Sequence, residues 1–309
     1  MSSTNGRRPS APPGAAEYAL LAGVSLTWGT SYMFTKIAVS AMPPLTVIAT
    51  RTVLAALVMS ALLFMTRQAK RLGMRDLAAL ALVGLSVNAA PLCLIAISVS
   101  LVDSSVTATT MALVPLITAV YAVFRGEYPT VRNMIGIAVG VVGIVVLFGP
   151  QALASLGDSA WGAMAAIAAS LIFAGSLFMS SLVRHHHPLL VATYSLAFAA
   201  MWTLPVAWLH DGLPAEMPTA HVAASVLVLS LFNTAAASLL VFALVARTGP
   251  IFTSLNNYLV PAVAVVCGTI FLHEPLTLQK VAGAAIVLAG VAISSVRRRP
   301  AVPPVPPTA

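Results

Sequence analysis

Charge is the property that this sequence has least of. Only 8% of its 309 residues are Asp, Glu, Lys or Arg, against roughly 25% in soluble domains. Hydrophobic residues make up 59% of the chain. This composition excludes an ordinary soluble domain and indicates an integral membrane protein.

Cysteine is scarce, and no metal-binding spacing is present. Cys93 and Cys267 have no metal or redox pattern, and we expect both to pack as small apolar side chains. His185, His186 and His187 form the one conspicuous polar run. Three adjacent His side chains do not easily converge on one ion, and no Cys or acidic residue is near them to complete a shell. The sequence therefore predicts a solvated loop there, with no metal and no cofactor.

Acidic and His side chains are missing from the middle of every predicted span. Proton-driven carriers usually place such a relay there, so the sequence favours facilitated export or exchange. Glu127 and Glu274 fall at predicted helix ends, and we expect them to order loops rather than to carry protons. An enzyme would need a nucleophile with a base, paired carboxylates or a metal cluster. None is visible, so no catalytic residue is predicted.

Apolar runs near 20 residues are what the chain has in abundance. About 20 apolar residues let a helix cross a hydrocarbon core of about 30 Å, whereas a membrane β-barrel would show short alternating strands. The sequence predicts an all-α membrane protein with ten spans, over residues 18–38, 44–66, 76–99, 103–124, 133–149, 160–182, 188–209, 221–246, 249–272 and 278–296.

Basic residues are distributed unequally between the two sides of the membrane. With the N-terminus in the cytoplasm, thirteen of the sixteen Lys and Arg fall on the cytoplasmic side, while Lys36 and Lys280 fall outside and Arg51 falls within the second span. Short loops follow this positive-inside pattern. The net charge of +8 therefore reflects topology and not a nucleic-acid partner. Both termini are predicted to be cytoplasmic, with disordered tails over 1–16 and 298–309.

The chain repeats itself at a nearly constant offset. Three pairs of identical residues lie 145 apart, one lies 146 apart and three lie 147 apart: Asn88 and Asn233, Pro43 and Pro188, Ser31 and Ser176, then Pro115 and Pro261, then Glu127 and Glu274, Gly136 and Gly283, and Gly143 and Gly290. Each copy holds five predicted spans, so the second must enter the membrane from the opposite side. Two inverted five-helix repeats, over 17–150 and 151–297, are typical of transporters with a site near the midplane.

Two groups of residues form a pattern that extends over the chain from about residue 18 to 296. The first is Trp28-Gly29-Thr30-Ser31 with Lys36, Pro43 and Arg51, and the second runs from Pro115 through Glu127 to Gly136 and Gly143 and is echoed in the second copy. This pattern resembles the repeat of the EamA family in the drug/metabolite transporter superfamily. The second copy departs from it, because Phe173-Ala174 stand in place of Trp-Gly and Leu196 in place of Arg51.

The resemblance implies a basket-like fold with a central cavity in a bacterial inner membrane. It also implies export of amino acids or other small neutral or zwitterionic metabolites by alternating access. An efflux transporter for drugs or organic cations, from the same superfamily, is the alternative. Such a pump would be expected to place an acidic residue in its cavity, and the spans offer none.

Polar residues in the middle of spans are the candidate cavity residues, because lipid-facing polar groups are costly. Asn88 and Asn233 occupy equivalent places and are expected either to contact substrate or to tie helices together. Pro115 and Pro261 fall in the fourth and ninth spans and are expected to kink them, either as gates or as static bends. Polar residues precede each proline by about one turn, namely Thr109 and Thr110 in one copy and Asn256 and Asn257 in the other.

The first two spans supply the remaining candidates. Trp28, with Ser31 and Tyr32, is expected either to form a cavity wall or to pack in the core, and Ser176 shares the alternatives of Ser31. Arg51 is expected to pair with an outer carboxylate such as Asp103 or Asp158, or else to attract a substrate carboxylate.

Small residues predict where helices approach closely. Gly136-x-x-x-Gly140 with Gly143, and Ala285-x-x-x-Ala289 with Gly290, favour tight packing. Such packing occurs either within one molecule or at a dimer interface. We therefore expect a monomer or a homodimer whose partners are the lipid bilayer and a small-molecule substrate.

Overall fold

The computed structural model describes residues 13–102, 107, 110–154, 160–212, 218–271 and 277–295. Within these ranges the regular structure is entirely helical. The helices are α1 Ala15–Val39, α2 Pro44–Met65, α3 Met74–Leu101, α4 Val114–Phe124, α5 Val131–Ala154, α6 Ala160–Leu182, α7 Pro188–Asp211, α8 Ala220–Thr248, α9 Pro250–Ser254, α10 Asn256–Phe271 and α11 Leu278–Ser295.

Five of these helices, α2, α3, α6, α7 and α8, are long and apolar enough to cross a membrane. Shorter apolar helices cover Val114–Phe124, Val131–Leu147 and Val281–Ser294. An all-helical membrane protein is therefore confirmed at this level. The count of ten spans, the inversion of the repeats and the repeat boundaries stay predictions.

Two predicted spans are interrupted. The span expected over 103–124 is described as a regular helix only from Val114. The span expected over 249–272 is divided at Leu255 into α9 and α10. A hydropathy pattern does not detect such a break, because the residues on both sides of it are apolar.

Two helices contain π-helical segments, one in each half of the chain. Gly84–Ala89 interrupts α3 and Leu231–Ala236 interrupts α8. Backbone N–H groups after each segment donate to carbonyls five residues earlier, from Ala90 to Leu85 and from Ala237 to Phe232. Single π-helical turns inside α-helices are frequent at functional sites.

Different local chemistry supports the two π-helical segments. Pro91 follows the first segment, and because proline has no N–H it cannot donate to the Val87 carbonyl as an α-helix requires. In the second, the Thr234 hydroxyl donates to the Leu229 carbonyl at 2.7 Å. The widened turn therefore has a proline beside it in one copy and a threonine within it in the other.

Helices α5 and α11 approach each other through glycines. A Cβ atom at Gly136 would lie 2.5 Å from the Ser294 backbone nitrogen, and one at Gly283 would lie 2.5 Å from the Leu147 Cα. Only glycine permits this separation, because neither backbone atom can move away independently. The glycine stripe of α5 is thus used within the molecule, and a homodimer stays a prediction.

The two halves of the chain share one core. Helices α2 and α7 are joined by a 2.8 Å hydrogen bond between the hydroxyls of Thr52 and Thr203, and the Thr193 hydroxyl donates to the Met59 carbonyl at 3.1 Å. The largest buried hydrophobic cluster contains residues from both halves. This arrangement places a cavity between helices of the two halves.

Candidate functional site

A cavity lies between α1, α2, α3, α6, α8 and α10. About 100 Å³ of it is open to the centre of a water molecule, and about 10–15 Å³ of such space accommodates one water. It has room for several waters or for one small organic molecule. Its lining residues are Trp28, Ser31, Tyr32, Thr35, Ile48, Arg51, Val87, Asn88, Pro91, Leu92, Ile95, Ala96, Val99, Met111, Phe173, Asn233, Thr234, Ser238, Asn257 and Val260.

Arg51 supplies the charge in this lining. No Asp, Glu, Lys or His belongs to the part of the cavity wall that the structure describes. The Arg51 side chain is only 3% exposed. Its Nε donates to the Thr234 hydroxyl at 2.8 Å, and its Nη2 donates to the Asn233 carbonyl at 3.4 Å. No hydrogen bond joins Nη1 to any of the described residues.

Pairing of Arg51 with an outer carboxylate is one of the two expectations for this residue, and the structure does not describe the carboxylates concerned. Asp103 and Asp158, the carboxylates expected to pair with it, both lie outside the described ranges. The partners that the structure does show are neutral groups of α8. A guanidinium held by neutral oxygens keeps its full positive charge for an anion in the cavity.

Asn88 and Asn233 lie in the π-helical segments of α3 and α8, and both line the cavity. Asn233 Nδ2 donates to the Thr27 carbonyl and, at 2.9 Å, to the Thr30 hydroxyl, so it ties α8 to α1. Asn88 Oδ1 accepts a hydrogen bond from the Ser238 hydroxyl at 3.3 Å. Both amides therefore connect helices, which is one of the two roles expected for them from the sequence; contact with substrate stays a prediction.

Each of these amides also keeps one buried atom without a hydrogen bond. Asn88 Nδ2 and Asn233 Oδ1 are unpaired among the described residues. A buried polar atom without a partner costs about 1–3 kcal/mol, and such atoms in native proteins call for an explanation. Both atoms belong to residues that line the cavity, but the atoms themselves are buried, so a ligand would need a shift of the surrounding side chains to reach them.

Trp28 and Phe173 form an aromatic wall of the cavity. Their ring centroids lie 5.4 Å apart with an angle of 68° between the planes, which is the favourable edge-to-face arrangement. The two residues are 145 apart, the same offset as Asn88 and Asn233. The substitution of Phe173 for Trp in the second copy therefore leaves an aromatic counterpart to Trp28.

The remaining sequence-predicted candidates divide between the cavity and the core. Ser31, Tyr32 and Asn257 line the cavity. Ser176 is buried outside it and donates to the Phe173 carbonyl at 2.6 Å. Asn256 Oδ1 accepts from the Ser25 hydroxyl at 2.9 Å, which joins α10 to α1.

Thr110 is also absent from the lining. It is buried, and its carbonyl accepts a hydrogen bond from the Ser170 hydroxyl at 3.1 Å. Its neighbour Met111 contacts the cavity instead. Asn256 and Thr110 thus connect different parts of the chain, whereas the hydrogen bond of Ser176 lies within α6.

The two prolines differ in position. Pro261 lies inside α10, as expected, with Asn257 four residues before it. Pro115 instead lies in the first turn of α4, where its missing N–H would have no intrahelical partner anyway. Thr110 and Met111 are helical, and a turn at 112–113 separates them from α4, so the predicted span is interrupted just before Pro115; a gating role for this break stays a prediction.

Thirteen of the twenty lining residues were not predicted from the sequence, and Thr234, Ser238 and Pro91 are among them. Thr234 directly follows Asn233, and Ser238 lies just over one turn beyond it. A search of the positions around each paired Asn for polar residues would have found both. Pro91 carries a weaker signal, since a proline three residues after a mid-span Asn predicts a local break in the helix.

One polar cluster lies outside the cavity. His185 Nε2 and His186 Nε2 lie 3.7 and 3.4 Å from Asp76 Oδ1. The expectation that no acidic residue is near the His run is wrong, because folding brings the start of α3 against the turn between α6 and α7.

The fold and the cavity together define the class, a polytopic helical membrane protein with a cavity between the two halves of its chain. The EamA-like transporter family matches this chain over residues 15–149 and 160–296. The chain belongs to that family, and it is a membrane transporter.

Relatives with similar sequences are also transporters by name. An "Uncharacterized transporter" of Archaeoglobus fulgidus is 24% identical over 273 residues, which are 88% of this chain and 95% of that protein. The "Uncharacterized inner membrane transporter YedA" of Escherichia coli (strain K12) is 27% identical over 254 residues, which are 82% of this chain and 81% of that protein. A solved crystal structure superposes with a TM-score of 0.75 at 18% identity, over 91% of this chain and 97% of that chain; this likeness concerns the fold alone.

Proposed function

We propose that this transporter exports small neutral or zwitterionic metabolites, amino acids in particular, across a bacterial inner membrane. The observation that carries the proposal is the Arg51 guanidinium in the cavity wall, with neutral oxygens as its described partners. A carboxylate is the ligand that an Arg fork binds best, because two parallel N–H groups match two oxygens.

The spare amide atoms suit the two ends of a zwitterion. Asn88 Nδ2 offers a donor to a carboxylate, and Asn233 Oδ1 offers an acceptor to an ammonium group. Substrate binding would then satisfy two buried atoms that are unpaired in the free protein. We infer that both Asn residues combine structural hydrogen bonds with substrate contact.

The aromatic wall favours an apolar side chain on the substrate. Trp28 and Phe173, together with Ile48, Ile95 and Val260, make most of the lining apolar. Binding sites typically combine such a surface with a few well-placed polar groups. Amino acids with branched or aromatic side chains fit this combination.

An organic-cation pump is the alternative, and the cavity charge disfavours it. A cationic substrate would meet the positive charge of Arg51 and no carboxylate in the described lining. Like charges at short distance in a poorly hydrated site repel strongly. The same lack of acidic and His residues supports facilitated export or exchange rather than proton coupling.

We propose alternating access as the mechanism, with α3, α8 and α10 as the helices that bend. The π-helical segments of α3 and α8 and Pro261 in α10 are places where the α-helical hydrogen-bond ladder is interrupted. Helices in membranes bend at such interruptions. Export as the direction rests on the family resemblance. The cytoplasmic position of both termini rests on the charge asymmetry of the loops.

Transport by the purified protein in liposomes tests the proposal. Labelled amino acids, nucleobases and cationic dyes are offered to vesicles with and without the protein. We expect saturable flux of at least one amino acid. Saturable dye movement without amino-acid flux would overturn the proposal in favour of the cation pump. Uphill transport driven by a pH gradient alone would contradict facilitated export.

A further inference from the structure

A second polar cluster lies away from the cavity, between α3 and the turn that joins α6 to α7. It consists of Asp76, His185 and His186, and we call it the Asp-His cluster. One ligand atom from each residue lies within 4.8 Å of the other two. The His185 and His186 rings are adjacent, with centroids 4.0 Å apart.

The local structure explains why these side chains converge. Asp76 lies in the first turn of α3. His187 is the N-cap of α7, and its Nδ1 accepts from the Leu189 N–H at 3.3 Å. Because His187 caps α7, its side chain is directed to the helix end. His185 and His186 are the two members of the run that lie near Asp76.

His186 has an unsatisfied nitrogen at this place. Its Nε2 is buried and makes no hydrogen bond within the described part of the chain, although Asp76 Oδ1 lies 3.4 Å away. The side chain is only 15% exposed. A buried ring nitrogen that lies 3.4 Å from a carboxylate oxygen without a hydrogen bond to it is close enough to share an ion with that carboxylate.

The separations match a tetrahedral metal shell. Zn²⁺ binds His nitrogen at about 2.0–2.1 Å and carboxylate oxygen at about 2.0–2.2 Å, so ligand atoms at tetrahedral corners lie roughly 3.3–3.5 Å apart. The observed Nε2 to Oδ1 distances are 3.4 and 3.7 Å. Ordinary hydrogen bonds between N–H and oxygen are shorter, with a mode of about 2.9–3.0 Å.

We propose that Asp76, His185 and His186 bind a divalent transition-metal ion, with Zn²⁺ as the preferred one. Two imidazoles and one carboxylate suit Zn²⁺, Ni²⁺ or Co²⁺ better than Mg²⁺ or Ca²⁺, which prefer oxygen ligands. Three protein ligands leave a fourth position for water or another small ligand.

The ion would connect the two halves of the chain. Asp76 belongs to the first half and the His pair to the second, and α3 packs against both α6 and α7. Because a bound ion stabilises the folded state by mass action, the thermal midpoint of the protein rises with the metal concentration. This site is independent of the cavity and of the substrate proposed for it.

Metal titration of the full-length protein tests the proposal. The protein is purified in detergent through a tag without histidine, stripped with a chelator, and titrated with Zn²⁺ against a chromophoric competitor. The variants are His186→Ala, His185→Ala and Asp76→Asn. The matched control is His221→Ala, because His221 is exposed and lies in the first turn of α8, outside the Asp-His cluster.

We expect one Zn²⁺ per chain in the parent protein and in His221→Ala. Each of the three cluster variants should weaken binding by more than about tenfold and abolish the metal-dependent rise in thermal midpoint. Midpoints of the metal-free variants show whether each one is folded. Absence of stoichiometric binding, or equal binding by His186→Ala and His221→Ala, would overturn the site in favour of a simple ion pair between His and Asp76.

Discussion

Arg51 in α2 donates a hydrogen bond from Nε to the hydroxyl oxygen of Thr234 in α8, with 2.8 Å between the two atoms. Thr234, within the π-helical segment, in turn donates to the Leu229 carbonyl just before that segment. The cation from the first half of the chain is therefore attached to the widened turn of the second half. A ligand carboxylate that binds Arg51 acts directly on the place where α8 departs from α-helical geometry.

Two replacements of Arg51 distinguish the contribution of its positive charge from that of its planar guanidinium group. Arg51→Lys keeps the charge but loses the planar fork, and we expect a folded protein whose amino-acid transport falls at least about tenfold, the equivalent of about 1.4 kcal/mol. Arg51→Ala should also lose the hydrogen bonds to α8, worth about 1.5–3 kcal/mol for a charged donor. Folded yield and liposome flux are measured together.

The control for this series is Arg132→Ala, because Arg132 is exposed at the start of α5. Its yield and flux should match those of the parent protein. If Arg51→Lys loses yield and transport in equal proportion, the role of Arg51 is structural and substrate contact is excluded.

Asn88 and Asn233 should respond differently to the same substitution. Asn88→Leu removes a buried unpaired donor and one hydrogen bond with Ser238, so we expect stability to change by less than about 1 kcal/mol. Asn233→Leu removes two hydrogen bonds to α1 and should cost about 1–3 kcal/mol. Both variants should lose transport. Thermal midpoints in detergent and flux in liposomes report the two effects.

Ser238→Ala combined with Asn88→Leu is the matched control for stability. Replacing both partners of a buried hydrogen bond by apolar groups is nearly neutral, so the double variant should unfold at the parent's midpoint. Full transport by the folded Asn88→Leu protein would show that the amide has no contact with substrate.

The aromatic wall predicts a change in selectivity. Trp28→Ala enlarges the cavity beside Phe173, so transport of amino acids with small side chains should fall more than transport of aromatic ones. Differences of about 10–200-fold accompany the loss of a good apolar contact in a pocket. Competition by a series from alanine to tryptophan measures this. An equal loss for every member would mean that Trp28 packs in the core without sensing the substrate.

Close packing of α5 on α11 predicts a large effect of a single methyl group. Gly136→Ala forces a Cβ against the Ser294 backbone nitrogen and should destabilise the protein by about 1–3 kcal/mol, as overpacking does. Gly73→Ala is the control, because a Cβ there meets nothing within 4 Å. Equal thermal midpoints for the two variants would contradict the observed helix separation.

The sequence predicts the helical membrane fold because the relevant signals are local. Apolar runs mark the spans, and constant offsets between paired residues indicate a duplication. The same offsets identify Asn88 and Asn233, since a polar residue in the middle of an apolar run is conspicuous. Seven of the ten cavity candidates line the cavity, namely Trp28, Ser31, Tyr32, Arg51, Asn88, Asn233 and Asn257.

Features that depend on backbone geometry or on distant contacts could not be predicted. A π-helical segment is a change in hydrogen-bond register, and Leu231–Ala236 contains no residue that requires one. Asp76 and His186 lie on different halves of the chain and meet only after α3 packs on α7. The interruption just before Pro115 is an exception, because proline is common in the first turn of a helix and rare in its interior.

Competition between leucine and its decarboxylated amine tests most directly whether the Arg51 cavity recognises a zwitterion. Liposomes loaded with unlabelled leucine take up labelled leucine in exchange, and either leucine or 3-methylbutylamine is added outside in excess. Leucine should abolish uptake, the amine should leave it unchanged, and Arg51→Lys should take up leucine at least about tenfold more slowly. Equal inhibition by leucine and by the amine would contradict recognition of the carboxylate by Arg51, and with it the proposed substrate class.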